Sequence, residues 1–353
     1  MFYLLPELLR QSSMFSHIPT KKEEKWRFSP LGEYLNREYK KVPLAHKDIL
    51  DKPKEEYWIY LRDGHVLELK LPPSVHVKHT PFTLELNCFE DIDIYLYLDY
   101  STQSFVDFRI NIIIQEHVHL SLYYSYEGGE KAFILHSSHI KLEPYARLSQ
   151  TQVHNLSTQA VSIVENRVHL DKNSFFKNFS LLKEGEYIHN FFHTDLHYQS
   201  EAEITSLLLT HQRQKSIFSC DVNHLGDRST SQVLSKQVIR DKSTCVVDAN
   251  TLITEKTKAT EATQASHALL LDEDAHIHSK PHLQIYSDDL SASHGSTVGE
   301  LDQEAISYLC SRGISEEKAR SMLISAFIND ILESIDDTGH KEHILKTLGE
   351  DDA

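Results

Sequence analysis

The sequence predicts a mainly β protein with helical regions at both ends, and three observations carry that prediction. From about residue 81 apolar residues alternate: Val106, Phe108, Ile110, Ile112 and Ile114 share one face of an extended segment, and Val118, Leu120, Leu122 and Tyr124 share another. Short apolar or β-branched runs then recur, among them "AFILH", "RVHLD", "EITSLLLT", "CVVDANTLIT" and "HLQIYSDD", with no amphipathic helix between them. Finally, tight-turn residues are scarce. Between Gly129 and Gly295 the only glycines are Gly185 and Gly226, and no proline lies between Pro144 and Pro281. A hairpin meander would want more of both. Many strands turned by Asn, Asp and Ser fit either a β-sandwich or a stacked parallel β-helix, and the glycine scarcity favours the β-helix. No exact repeat period is visible.

Taken in order, residues 1–80 are charged and mixed and read as an N-terminal helical region. In "IPTKKEEKWRFSPLGEYL" an entry proline, Pro19, precedes a helical pattern that Pro30 interrupts. The apolar start, "MFYLLPELLRQSSMF", lacks a basic leader and is broken by Pro6 and Glu7, so it does not read as a signal peptide. No run approaches the length of a membrane span, which predicts a soluble, cytoplasmic protein. Residues 81–300 form the expected β core. Residues 301–353 form a C-terminal helical region: "ELDQEAISYLCSRG" is a short helix closed by Gly313, and Ser315 opens a longer one with Glu316 and Glu317 at the positive end of its dipole. Ala319, Met322, Leu323, Ala326, Phe327, Ile331 and Ile335 recur at three- and four-residue spacing, which predicts one apolar face.

Charge and motifs exclude several functions. Against 52 Asp and Glu stand 36 Lys and Arg, a net charge of −16 with no basic patch, which argues against binding nucleic acid through its phosphates. Cys88, Cys220, Cys245 and Cys310 are scattered and suggest neither a disulfide framework nor a zinc ribbon. There is no P-loop, G-x-G-x-x-G, H-E-x-x-H or G-x-S-x-G. Asp288 and Asp289 are adjacent, so on a strand they would point to opposite faces and make a poor acid–base pair.

Histidine is the unusual residue, with 23 copies. His189, His193 and His197 lie in a segment that looks extended, where i and i+4 stand about 13 Å apart and cannot share a metal; an ordinary solvent face is expected. His276 and His278 are a better pair for a metal, since i and i+2 on a strand point the same way, yet no third ligand is near in sequence.

The most specific stretch is "KPHLQIYSDDLSASHGSTVGELDQEAISYLCSRGISEEKARSMLISAF", from Lys280 to Phe327. It resembles the signature of the SufB/SufD family of iron-sulfur cluster assembly proteins, which runs roughly K-P-x-L-E-I-x-A-D-D-V-x-C-S-H-G-A-T-V-G-x-L-D. Upstream, Asp221, His224, Lys236 and Gln264 fall at family-like places, and "PTKKEEKWRFSPL" is similar to the P-T-x-x-x-E-x-W-x-x-[ST]-P-L of the SufD branch.

The resemblance implies a right-handed parallel β-helix flanked by N-terminal and C-terminal helical regions. It also implies a nonenzymatic scaffold that pairs with a SufB-like subunit through the β-helix and carries a SufC-like ATPase on the C-terminal helices, where Leu323, Phe327 and Ile331 are candidate contacts. A homodimer is the alternative assembly when the chain is isolated, and neither nucleic acid nor a membrane is an expected partner. His294 falls on the family histidine at the proposed subunit interface. It is either an iron ligand or a cap on the strand-to-helix turn. No cofactor should be bound stably by this chain alone; an iron-sulfur cluster would be held transiently in the assembled complex. Two departures matter: the family cysteine two residues before the histidine is Ala292, and His278 and Ser279 replace the usual pair before Lys-Pro. Two rival readings are a β-helix enzyme acting on acidic polysaccharide and a stand-alone metal-binding protein using His276 and His278.

Overall fold

The computed structural model describes residues 2–12, 14–15, 17–23, 26–41 and 53–349. Glu24 and Lys25 of the N-terminal motif lie outside them. The chain opens with β1 (Phe2–Leu4), α1 (Leu5–Leu9), α2 (Leu31–Tyr34) and β2 (Glu38–Lys41). Next come β3 (Trp58–Arg62), β4 (His65–Lys70), β5 (Val75–Thr80), β6 (Thr83–Cys88), β7 (Ile92–Tyr100) and β8 (Ser104–Ile114). The central strands are β9 (His119–Gly128), β10 (Phe133–Leu142), β11 (Arg147–Leu156), β12 (Val161–Leu170), β13 (Phe175–Glu184), β14 (Tyr187–Leu196) and β15 (Glu201–Thr210). They continue as β16 (Lys215–His224), β17 (Thr230–Ile239), β18 (Thr244–Ile253), β19 (Thr260–Leu270), β20 (His276–Ile285) and β21 (Leu290–Gly299). Three helices close the chain: α3 (Gln303–Ser311), α4 (Glu316–Leu332) and α5 (Thr338–Leu348).

Even-numbered strands from β8 to β20 stack in one sheet and odd-numbered strands from β7 to β21 in a second, every neighbour parallel and the register broken only at the end of the β11–β13 pair, between His154 and Asn155. This is a parallel β-solenoid, the stacked alternative of the two that the strand pattern left open. The step between in-register neighbours is 28 residues from Phe133 to Val161, 26 from Val161 to Tyr187 and 32 from Thr244 to His276. The varying corners hide the repeat from the sequence.

Those corners also explain how the fold manages with so little glycine. His117, Tyr145, Asn173, Gln199 and Arg228 all adopt positive φ between 53° and 64°. Each such residue costs about 1 kcal/mol of backbone strain, but its N–H donates to the next coil's corner: His117 to Pro144 O, Tyr145 to Lys172 O, Asn173 to Tyr198 O, Gln199 to Asp227 O and Arg228 to Lys258 O, at 2.8–3.3 Å. Stacking offsets the strain coil by coil.

Inward rows fill the lumen. Val106, Phe108, Ile110, Ile112 and Ile114 are all buried, as are Val118, Leu120, Leu122 and Tyr124, so both alternating faces point to the core. Part of the lumen is polar: Gln152 Nε2 donates to Asn166 Oδ1 (2.8 Å), Asn166 Nδ2 to Asn190 Oδ1 (3.0 Å) and Asn190 Nδ2 to Gln152 Oε1 (2.9 Å). This closed ring satisfies amides that burial would otherwise penalise.

The N-terminal segment, expected to be helical through residue 80, holds two short helices in its described part, and its strands β2 to β6 extend the two sheets. Leu5, Leu8, Leu9, Trp26, Leu31 and Tyr34 pack over Phe133, Val161, Tyr187 and Val246 on the outer face of the even sheet. The C-terminal helices cover the outer face of the odd sheet, where Ile324, Ile328, Ile331 and Leu332 meet Leu181, Leu207, Val238 and Leu269. The buried stripe of α4 is therefore rotated from the expected one: Met322 is 42% exposed, Ala326 is exposed, and the β-branched isoleucines take the core. Ser315 caps α4, accepting from Lys318 N at 3.3 Å, as the sequence predicts. Among the described residues no helix is long and apolar enough to cross a membrane.

Candidate functional site at the open end of the solenoid

The stretch around His294 is a strand rather than a turn. Leu290–Gly299 forms β21, the last strand of the odd sheet, and pairs only with β19 along its length. The N-cap of α3 is Asp302, whose carboxylate accepts from Glu304 N and Ala305 N. His294 therefore does not cap the junction, and that alternative falls.

Register fixes which way His294 points. In β19 Ala262, Gln264, Ser266 and Ala268 are buried and face the lumen, and they pair with Ala292, His294, Ser296 and Val298. Across the lumen, Cys245, Val247 and Ile253 of β18 pair with Ile277, Ser279 and Ile285 of β20. His294 thus stands on an inward row of the final coil, beside Ile277, Ser279, Ile285 and Val298. Among the described residues no further strand follows β20 or β21, so these inward side chains are open to solvent: Ile285 is 44% exposed and Val298 53%.

His276 and His278 share the outward face of β20, as expected of an i, i+2 pair, and so lie on the other side of the wall from His294. The His276 ring contacts Ala275 O at 2.9 Å, while the His278 ring stacks on Phe28 at 4.6 Å. Burial, and then the charges of Lys215 and Arg27, push the His278 pKa down. Among the described residues no three His, Cys, Asp or Glu side chains converge to hold a metal. The structure does not bring the three candidate histidines together.

Most of the other singled-out residues serve structure. His189 is buried beneath Trp26, with Nε2 2.9 Å from Ser219 Oγ, so it does not lie on a solvent face; His193 is partly exposed and pairs with Asp221 at 3.1 Å. His224 is held between Ser229 and Ser231, both at 2.8 Å, and burial lowers its pKa to about 4. Lys236 donates to Phe327 O at 2.7 Å and to Asp330, clamping α4 to the odd sheet. Of the three candidate ATPase contacts, Ile331 is only 1% exposed and packs inward, while Leu323 and Phe327 are partly buried. Met322 and Tyr308, at 42% and 58% exposed, are the apolar side chains these helices offer outward; a stripe predicted by periodicity alone could not tell the two faces apart.

Residues 99–327 match the family described as SUF system FeS cluster assembly, SufBD core domain. The chain belongs to the SufBD family. It is 36% identical over 120 residues to the iron-sulfur cluster assembly protein SufD of Escherichia coli, covering 34% of this chain and 28% of that protein. It is 28% identical over 135 residues to SufD of Bacillus subtilis (38% and 31%), and 30% identical over 147 residues to a SufBD family protein of Synechocystis (42% and 32%). These matches span under a third of each relative's length. The SufBD match includes both wall strands of the open end and its histidine.

Proposed function

We propose that this chain is a SufD-like scaffold subunit of a SUF iron-sulfur assembly complex. It pairs with a SufB-like subunit through the open end of its solenoid, carries a SufC-like ATPase on the outward face of α3 and α4, and works in the cytoplasm without covalent catalysis of its own. The observation that carries this reading is the uncovered final coil, which presents apolar inward residues and one imidazole where a second solenoid would stack. His294 is the chain's ligand to a nascent cluster, which is cargo rather than a resident group. Neutral imidazole is a competent iron ligand. One imidazole is a partial donor set: Ala292 supplies no thiolate, and burial holds the Cys245 thiol up at about 12 and raises the Cys220 thiol well above its ordinary value. The remaining ligands come from the partner, so the complex assembles a cluster that this chain alone does not hold.

The test is reconstitution with SufB and SufC, comparing wild type with His294→Ala for iron and sulfide per intact complex under anaerobic conditions. The expected result is an intact complex with cluster content at least about tenfold lower, the scale on which a lost metal contact acts. Equal content would retire the ligand role. Loss of the complex would assign His294 to subunit contact instead.

A further inference from the structure

The inward row that ends at His294 runs through Gln150, Asn178, Ile204, Val233 and Gln264. Gln264 is the in-register neighbour of His294 and is 4% exposed. Its Nε2 donates to Thr251 Oγ1 at 2.6 Å and to the backbone carbonyl of His282 at 3.3 Å. A carbonyl only accepts, so the second bond fixes which end of the amide is nitrogen. Both amide hydrogens are thereby used. Gln264 Oε1 is buried and has no partner. Gln150 Oε1 and Gln214 Oε1 are likewise buried without a partner, but of the three only Gln264 lies beside the open coil, in register with His294.

We propose that Gln264 is the positioning residue for His294: the structure leaves its Oε1 unpartnered beside the exposed His294, and a turn of that ring brings its Nδ1–H to this acceptor, holding the neutral imidazole in the tautomer whose Nε2 is free toward the open end. This rests on the reading of His294 as a ligand. Adjacent parallel strands lie about 4.8 Å apart, and Gln Oε1 and His Nδ1 are four and three bonds from their Cα atoms, the same reach as the Gln150 Nε2 and Asn178 Oδ1 that meet on this row. Side chains in this part of the fold already bridge that gap. On the same row Gln150 Nε2 donates to Asn178 Oδ1 at 3.2 Å. On the same strand pair, the His267 ring meets its register partner Thr297 through Nδ1 and Oγ1 at 2.8 Å. A metal-bound histidine characteristically donates its other ring N–H to a carbonyl or carboxylate, which sets tautomer and ring orientation. Gln264 supplies that carbonyl from a fixed amide in the coil beneath.

The experiment labels histidine with 15N in the full-length chain and reads the tautomer of His294 from long-range nitrogen–proton correlations at pH 8, with His294→Ala identifying its signal. In wild type the ring should be predominantly protonated at Nδ1. In Gln264→Leu it should revert to the ordinary mixture dominated by the Nε2–H form, and Gln264→Glu, which keeps an acceptor, should restore the wild-type pattern. In the reconstituted complex, Gln264→Leu should lower cluster content about tenfold and Gln264→Glu much less. If Gln264→Leu does not fold, Gln264→Met supplies the same arm with a side chain of similar length. A wild-type ring already in the ordinary mixture, or one unmoved by loss of the amide, overturns the proposal. A tautomer that responds as expected while His294→Ala keeps full cluster content leaves the Gln264–His294 bond standing and removes the ligand role.

Discussion

Where the solenoid begins, β3 and β6 continue the two sheets past β7 and β8, and each is then closed by an antiparallel strand, β4 on β3 and β5 on β6. Ile59, Leu61, Leu84 and Leu86 are buried there, and the outermost strands carry Glu68, Lys70 and Lys78. Where it stops, no further strand pairs with β20 or β21 among the described residues: Ile285, Tyr286 and Val298 are 44%, 59% and 53% exposed, and β21 holds no charged residue in its ten positions, while β20 holds one, Lys280. Short, charged outermost strands discourage further pairing, whereas an edge without such charges is a template for it. One end closes the stack within the chain, and the other leaves it open to the partner proposed above.

The sharpest way to break this comparison is to place like charges on the bare end. Ile285→Asp with Val298→Asp should reduce affinity for a SufB-like partner about a thousandfold, roughly 4 kcal/mol, because both positions sit at the centre of the proposed contact. The stability of the chain alone should move by less than about 0.5 kcal/mol, since both side chains are already half in water. Titration calorimetry and thermal unfolding of the same preparations give both numbers. Unchanged affinity would mean that the bare end is not where the partner docks. The same logic inverted applies at the closed end: Leu84→Ala should cost about 3 kcal/mol of stability and leave partner affinity untouched, because Leu84 is buried within the chain itself.

A third prediction concerns the helices that run back along the odd sheet from the bare end. α5 is pinned by His340, whose Nδ1 lies 3.1 Å from Thr151 Oγ1. Asp337, His343, Tyr95 and Tyr123 also face the ring. Burial pushes the His340 pKa down to about 4, against opposition from the Asp337 carboxylate, itself held below its usual range by the His340 and Gly339 amides and by Ser121. The sign follows. Below about pH 6.5 the released helix binds a proton that the docked helix refuses, so docking weakens from there down to about pH 4. Protection of α5 amides against hydrogen exchange, corrected for intrinsic rate, should fall by roughly 3 kcal/mol over that window and stay flat above it. His340→Phe should remove the pH dependence; persistence of the full slope would assign it to other groups.

How much of this was legible in the sequence differs by element. Val106 to Ile114 and Val118 to Tyr124 announce their buried faces because alternation survives wherever one face meets a core and the other does not. The Ser315 cap of α4 is local and could be read locally, whereas Asp302, the N-cap of α3, was passed over in favour of His294. β21 could not: Ser291, Ser293, Gly295 and Ser296 have poor strand propensity, and the segment is extended because β19 templates it. α4 carries apolar residues on more than one face, and only the sheet beneath decides that Ile324 and Ile328 go inward rather than Met322 and Ala326. α5 was covered only by the general expectation of a helical C-terminal region: its buried stripe is His340, Ile344 and Leu348, and periodicity does not count the histidine that leads it as apolar. As for the site, the resemblance picked out both His294 and Gln264, but that residues 30 apart are neighbours is set by strand register alone and could not be read.

The smallest effect concerns the one strap that reaches the bare end. Phe28, two residues beyond the buried Trp26, stacks on His278 of β20 with the rings inclined at 23°, and the Arg27 guanidinium lies 5.8 Å from the same Phe28 ring. Elsewhere the N-terminal segment covers strands that are already sandwiched between neighbours; here it touches an edge strand held on one side only, by β18. A stacked pair of this kind contributes about 0.5–1.5 kcal/mol beyond the area it buries. Phe28→Ala should therefore raise the hydrogen-exchange rates of β20 amides by about fivefold, near 1 kcal/mol, while leaving those of β8 and β10 in the same sheet unchanged, because their neighbours hold them on both sides. If the partner stacks on the bare end, adding it should restore protection to the β20 amides of the variant, since the second solenoid then supplies the missing neighbour. A loss of protection spread evenly over the even sheet would instead make the strap a global brace and erase the distinction between the two ends.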